Sequence, residues 1–249
     1  MDALQGAEKA AALDELAQRV ISPYLVMMGI LLILSAWIYF SALPEVDADA
    51  EDEELALTNS TKKSIFQFPH LFLGTLALFL YVGVEVIAGD TIISYANDAQ
   101  GIPLSEAKFF ASLTLGAMIV GYVIGIFTIP KFISQENALK VSAILGLILG
   151  TTAIFTNGFI SVLAVALLGI ANALVWPAIW PMALAGLGRF TKVGSSFLIM
   201  AIAGGAILPL IYGYFADMFD PQQAYWVIIP CYLYILFFAT TGYKTGRNV

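Results

Sequence analysis

The chain has 249 residues, of which 60% are hydrophobic and 12% charged, and its mean hydropathy is +0.87. These values lie far outside those of water-soluble domains and exclude a chain whose main solvent is water. Its formal charge of −7 belongs largely to one stretch, because Glu45, Asp47, Asp49, Glu51, Asp52, Glu53 and Glu54 crowd into ten positions and the remainder holds 11 acids against 11 bases. That stretch reads as a solvated connector rather than a binding tail. No nucleic-acid partner is expected. The lone cysteine, Cys231, permits no internal disulfide. The lone histidine, His70, supplies no histidine-rich metal site, and no cofactor is expected.

In chain order, residues 1–22 lack the cationic start and uninterrupted apolar centre of a signal peptide and read as an amphipathic surface helix. Seven apolar stretches of spanning length follow, at 24–43, 71–96, 109–129, 138–155, 159–187, 194–217 and 224–243. Continuous apolarity without alternation favours helices, which satisfy their own backbone in lipid. The connections are short and polar, such as Ser134-Gln135-Glu136-Asn137 and Asp220-Pro221-Gln222-Gln223. The long exception, 44–69, separates one outlying span from a compact group of six. The expected organisation is an amphipathic segment at 1–22, a transmembrane helix at 23–43, an acidic cytoplasmic linker at 44–69, a six-helix bundle at 70–244 and a tail at 245–249.

With those spans, Lys62, Lys63, Lys131, Lys140, Arg189, Lys192, Lys244 and Arg247 fall on one side of the membrane, while Lys9, Arg19 and Lys108 fall on the other. The positive-inside rule places the larger group in the cytoplasm of a multi-pass protein of the inner (plasma) membrane, with a cytoplasmic C-terminus. The N-terminal tail then lies outside without a signal sequence, which is read as a sign that further helices precede it.

Two carboxylates, Glu85 and Asp90, interrupt the second span. An ionised carboxylate near mid-bilayer costs roughly 2.5 to 3.5 kcal/mol, so such residues face a cavity or partner and point to an ion or substrate path. Glu85 lies near the centre of the 71–96 span, with Tyr81 one turn before it on the same face. It suits a sugar hydroxyl, a proton or a neutral tie between helices, and spacing alone leaves these open. Asp90 lies about 140° further round the helix and nearer water, where a terminal acid is ordinary. Asn172, Trp176 and Trp180 follow i, i+4, i+8 spacing. An amide donates to and accepts from hydroxyls, and an indole covers an apolar C–H face, so this stripe suits a sugar. Pro177 and Pro181 free backbone carbonyls beside it, and packing around two proline kinks is the competing explanation. The pairs Gly121/Gly125 and Gly146/Gly150 have the spacing that lets helices approach closely.

The strings Tyr81-Val82-Gly83-Val84-Glu85-Val86, Asn172-Ala173-Leu174-Val175-Trp176-Pro177-Ala178-Ile179-Trp180-Pro181, Gly188-Arg189-Phe190-Thr191-Lys192, Ile202-Ala203-Gly204-Gly205-Ala206 and Ala224-Tyr225-Trp226-Val227-Ile228-Ile229-Pro230-Cys231-Tyr232 carry a more specific signal. They resemble the L-fucose/proton symporter and glucose/galactose transporter family of the major facilitator superfamily, in the family's order from about Leu13 to Tyr243. The resemblance implies an all-α membrane protein with seven transmembrane helices. The first is the family's sixth helix, and the other six are its C-terminal bundle. It implies monosaccharide/proton symport by alternating access, with a fucose-, glucose- or galactose-class sugar, a proton as coupling ion and the lipid bilayer as surroundings. The family's coupling carboxylates lie on its first and fourth helices, so no position here inherits them. A missing N-terminal half is the implied partner, and the chain alone is not expected to accumulate sugar. Read from the residues themselves, the candidate substrate-binding positions are Asn172, Trp176, Glu85 and Tyr81, with Trp180 and Asp90 secondary.

A non-transporting membrane assembly or binding protein is the alternative. An intramembrane enzyme is disfavoured, because the Tyr-Asp and Gly-x-Gly-Asp settings of an aspartyl protease and the Gly-x-Ser-Gly of a serine type are absent from the sequence.

Overall fold

The computed structural model describes residues 7–41 and 64–246, so most of the acidic linker and the tail beyond 246 lie outside the described residues. The chain divides into two units, Met1–Glu51 and Asp52–Val249. Among the described residues every regular element is helical, and seven helical segments are long and apolar enough to cross a membrane.

The first unit contains one helix, α1 (Ala7–Phe40). Its segment Ile21–Phe40 has 20 residues, enough at about 1.5 Å per residue to match a hydrocarbon core of about 30 Å. The helix continues through Pro23. The change of composition near residue 22 therefore coincides with no break in the backbone.

The second unit begins with a 3₁₀ turn at Ile65–Gln67 and continues as α2 (Pro69–Asp90), α3 (Leu104–Thr128), α4 (Gln135–Phe155), α5 (Gly158–Ala173), α6 (Val175–Leu184), α7 (Thr191–Met200), α8 (Gly204–Met218) and α9 (Ile228–Thr240). Local chemistry sets the starts. Pro69 occupies the first turn of α2, where its missing N–H costs nothing. The Ser134 hydroxyl accepts from the Asn137 amide at the head of α4, and the Asp220 carboxylate accepts from the Gln222 and Gln223 amides, both at 2.8 Å, at the head of the short helix Pro221–Ala224.

Two expected spans are interrupted. Residues 159–187 form α5 and α6, joined at Leu174. Pro177 has no N–H for the carbonyl of Ala173 and its ring crowds that carbonyl, so the break falls one turn before the proline. Residues 194–217 form α7 and α8, separated by a 3₁₀ turn at Ala201–Ala203. The second span also ends early: α2 stops at Asp90, and the chain passes through a short helix (Ile92–Ser94) and a π-helical turn (Tyr95–Ala99) before α3.

α2 is the central helix and packs against α8, α6, α9 and α5, while α4 closes the far side against α5 and α9. Missing side chains permit these approaches. A methyl group on Gly74 would stand 2.5 Å from the Ala183 Cβ, and one on Gly121 would stand 2.6 Å from the Ala173 Cβ. One on Gly146 would enter the Tyr232 ring, and one on Gly204 would overlap the Phe79 carbonyl. The Gly121/Gly125 and Gly146/Gly150 spacings thus mark close helix contacts.

At one end of the unit, polar side chains tie four segments together. The Gln222 amide donates to the carbonyls of Ala153, Ile154 and Thr156 at 3.1, 3.1 and 2.6 Å, satisfying the end of α4. The Gln100 amide donates to the Tyr95 hydroxyl (3.1 Å) and to Gln222 (3.2 Å), and its carbonyl accepts from the Gly158 amide (2.6 Å). Ser161 donates to the Ala153 carbonyl at 2.6 Å and is bonded to the Tyr95 hydroxyl. Burial pushes the Tyr95 hydroxyl above its ordinary range, against the opposing effect of its bonds to Ser161 and Gln100.

Candidate functional site

The sequence-predicted residues fall on three neighbouring elements. Tyr81 and Glu85 are one turn apart on α2, with Tyr81 buried, Glu85 half-buried, and the phenol within hydrogen-bonding reach of the carboxylate. Glu85 lies five positions before the end of α2, so it belongs to the last third of the helix rather than the centre expected from a 71–96 span. Trp176 and Trp180 are half-buried on α6 and stack at 5.7 Å between ring centroids with planes 15° apart. Tyr81 meets Trp176 edge-on at 6.5 Å. The α2–α6 contact, opened by Gly74 against Ala183, therefore joins a carboxylate-bearing face to a two-indole face.

Asn172 is placed differently from its spacing. The turn at Leu174 separates it from Trp176, so the three residues do not continue one helical stripe. Its side chain is buried, only 1% exposed, and its Oδ1 accepts the hydroxyl of Tyr232 on α9 at 2.8 Å. Asp90 is exposed at the last position of α2.

Two further residues join the group. Tyr232 is fully buried, and Tyr122 on α3 is 39% exposed. Both hydroxyls lie within electrostatic reach of Glu85. No spacing rule ties position 122 or 232 to position 85, and the only local signal was a phenolic tip inside an apolar span. The assembled set offers aromatic surface for C–H faces, a carboxylate and phenols for hydroxyls, and an amide held at one end.

Such a helical unit, with a polar and aromatic group between apolar spans, has the architecture of a polytopic membrane protein. No protein-family model matches the chain. A crystal structure of a major facilitator superfamily transporter, FucP, in the outward conformation superposes with a TM-score of 0.74 at 24% identity, covering 97% of this chain and 59% of that one. A peptide transporter, POT, aligns with a TM-score of 0.59 at 16% identity over 76% of this chain and 41% of that one. The fold is therefore part of the major facilitator fold.

Among sequence relatives, the glucose/galactose transporter of Brucella abortus biovar 1 (strain 9-941) is 33% identical over 237 residues, which are 94% of this chain and 56% of that protein. The putative glucose/galactose transporter of Helicobacter pylori (strain ATCC 700392 / 26695) is 32% identical over 97% of this chain and 59% of its own length. The L-fucose-proton symporter of Escherichia coli (strain K12) is 25% identical over 100% of this chain and 57% of that one. The chain is a homologue of these sugar transporters along nearly its whole length, and it spans between 56% and 59% of theirs. These homologues are transporters and not enzymes.

Proposed function

We propose that this chain forms the C-terminal bundle and preceding helix of a monosaccharide/proton symporter of the inner membrane that works by alternating access. The observation that carries this reading is the contact of Tyr81 with the stacked pair Trp176 and Trp180 beside Glu85, in a chain homologous to sugar transporters. A pyranose lays an apolar C–H face on the indoles and directs hydroxyls to Glu85, Tyr81 and the Asn172 amide. Trp180 extends the platform, and Asp90 contributes little. A fucose-, glucose- or galactose-class sugar is the substrate and the proton the coupling ion, in keeping with the glucose/galactose transporters and the L-fucose-proton symporter among the relatives. The rest of the relatives' length supplies a second bundle against which this one rocks.

Equilibrium binding of D-glucose, D-galactose and L-fucose to the chain in lipid nanodiscs tests the site. Asn172→Ala and Trp176→Ala each weaken binding by about 1 to 3 kcal/mol, roughly fivefold to a hundredfold. Trp180→Phe and Asp90→Asn change it less. Unchanged affinity in both alanine variants would return these residues to packing around the proline-broken helix.

A further inference from the structure

We infer that Tyr232, seated in the notch of Gly146, is a positioning residue that sets the orientation of the Asn172 amide and so determines what that amide offers to a ligand. The inference rests on the proposed sugar site and adds a second layer to it. The Tyr232 hydroxyl donates to Asn172 Oδ1 at 2.8 Å, with the tyrosine fully buried and the asparagine 1% exposed. A primary amide has its acceptor and its donors on opposite prongs. Occupying the oxygen from α9 turns the NH₂ group the other way. On the inferred arrangement Asn172 turns its N–H donors toward a ligand oxygen, with one lone pair of its own acceptor engaged by Tyr232.

Tyr232 can reach α5 only because α4 carries no side chain at Gly146, where an added methyl would stand 2.5 Å from the ring carbons Cδ1 and Cζ. Three helices thus cooperate: α4 supplies the notch, α9 the hydroxyl and α5 the amide. The groups facing this hydroxyl also include Glu85 of α2, which lies within its electrostatic reach. The bond to Asn172 is not visible at a sequence separation of 60 residues.

A double-mutant cycle tests the assignment, with D-galactose, D-glucose and L-fucose binding to the chain in nanodiscs read from tryptophan fluorescence. Tyr232→Phe keeps the ring in its notch and removes only the hydroxyl, and it weakens sugar binding about threefold to tenfold. In the Asn172→Ala background the same substitution changes affinity by less than about twofold, because no amide is left to orient. A purely structural tyrosine would lower thermal stability while leaving the affinity of the folded protein unchanged, and that outcome overturns the inference. Additive effects of the two substitutions overturn it as well. Weakening by Asn172→Ala with full affinity in Tyr232→Phe would sink the positioning role and leave the sugar site standing. Failure of Asn172→Ala to weaken binding, or no sugar binding by the unaltered chain, would remove both.

Discussion

At the scale of single residues, the proposed site centres on a carboxylate set among phenols. Glu85 has Tyr81 on its own helix, Tyr122 on α3 and Tyr232 on α9 within interaction range. A phenol such as that of Tyr81 serves a neutral carboxyl group as well as a charged one. Glu85→Gln keeps the shape and the hydrogen bonding but cannot ionise, and sugar affinity in this variant is expected to stay within about threefold of the unaltered chain. Titration calorimetry across the three sugars would show it, and a loss of more than about tenfold would mean that the ligand needs the charge. Sequence alone pointed to Glu85 and Tyr81 because a carboxylate in an apolar run is rare and costly. It could not point to Tyr232, since the amide and the phenol meet only when α5 and α9 are packed on α4.

Individual elements are governed by how each helix end is satisfied. The last carbonyls of α4 lie at a chain turn and receive the Gln222 amide from a segment 66 to 69 residues away. Gln222→Leu removes that donor from the carbonyls of Ile154 and Thr156 at a partly buried end, while the Ala153 carbonyl keeps the Ser161 hydroxyl, at a cost of about 1 to 3 kcal/mol. Thermal melting in detergent should fall accordingly, with faster amide exchange localised to 153–161. Unaltered melting and exchange would show that water replaces the glutamine without penalty. The number of spans was legible because each needs only a sum of apolar transfer energies over about 20 residues. Their interruptions were partly legible. Pro177 announced the turn at Leu174 through its missing N–H, whereas the 3₁₀ turn at Ala201–Ala203 ends where Gly204 is pressed against the Phe79 carbonyl of α2, a partner 125 residues earlier.

For the whole molecule, the proposed orientation puts the end that carries Gln100 and Gln222 outside and the end that carries Arg189 and Lys244 inside. Thr58 and Asn248, natural labelling positions on the proposed cytoplasmic side, lie outside the described residues, and Gln100 is engaged in the polar tie, so exposed positions make better probes. Asp98→Cys should label rapidly with an impermeant thiol reagent added to intact cells, and Gln135→Cys and Thr245→Cys should not. The reverse pattern would invert the topology. What the sequence determined by itself was the solvent, the helical class, the seven spans and the two chemical signals, an intramembrane carboxylate and an Asn-Trp-Trp pattern. Those features are local, because hydropathy and missing backbone donors act over one or two helical turns. Tertiary structure alone decided that Trp176 meets Tyr81, that Asn172 leaves the tryptophan stripe for Tyr232, and that Gln100 and Gln222 knot one end together. These pairings depend on the rotation and depth of each helix against its neighbours. Both are set by where glycines let backbones touch, and by which side chains then fill the remaining space.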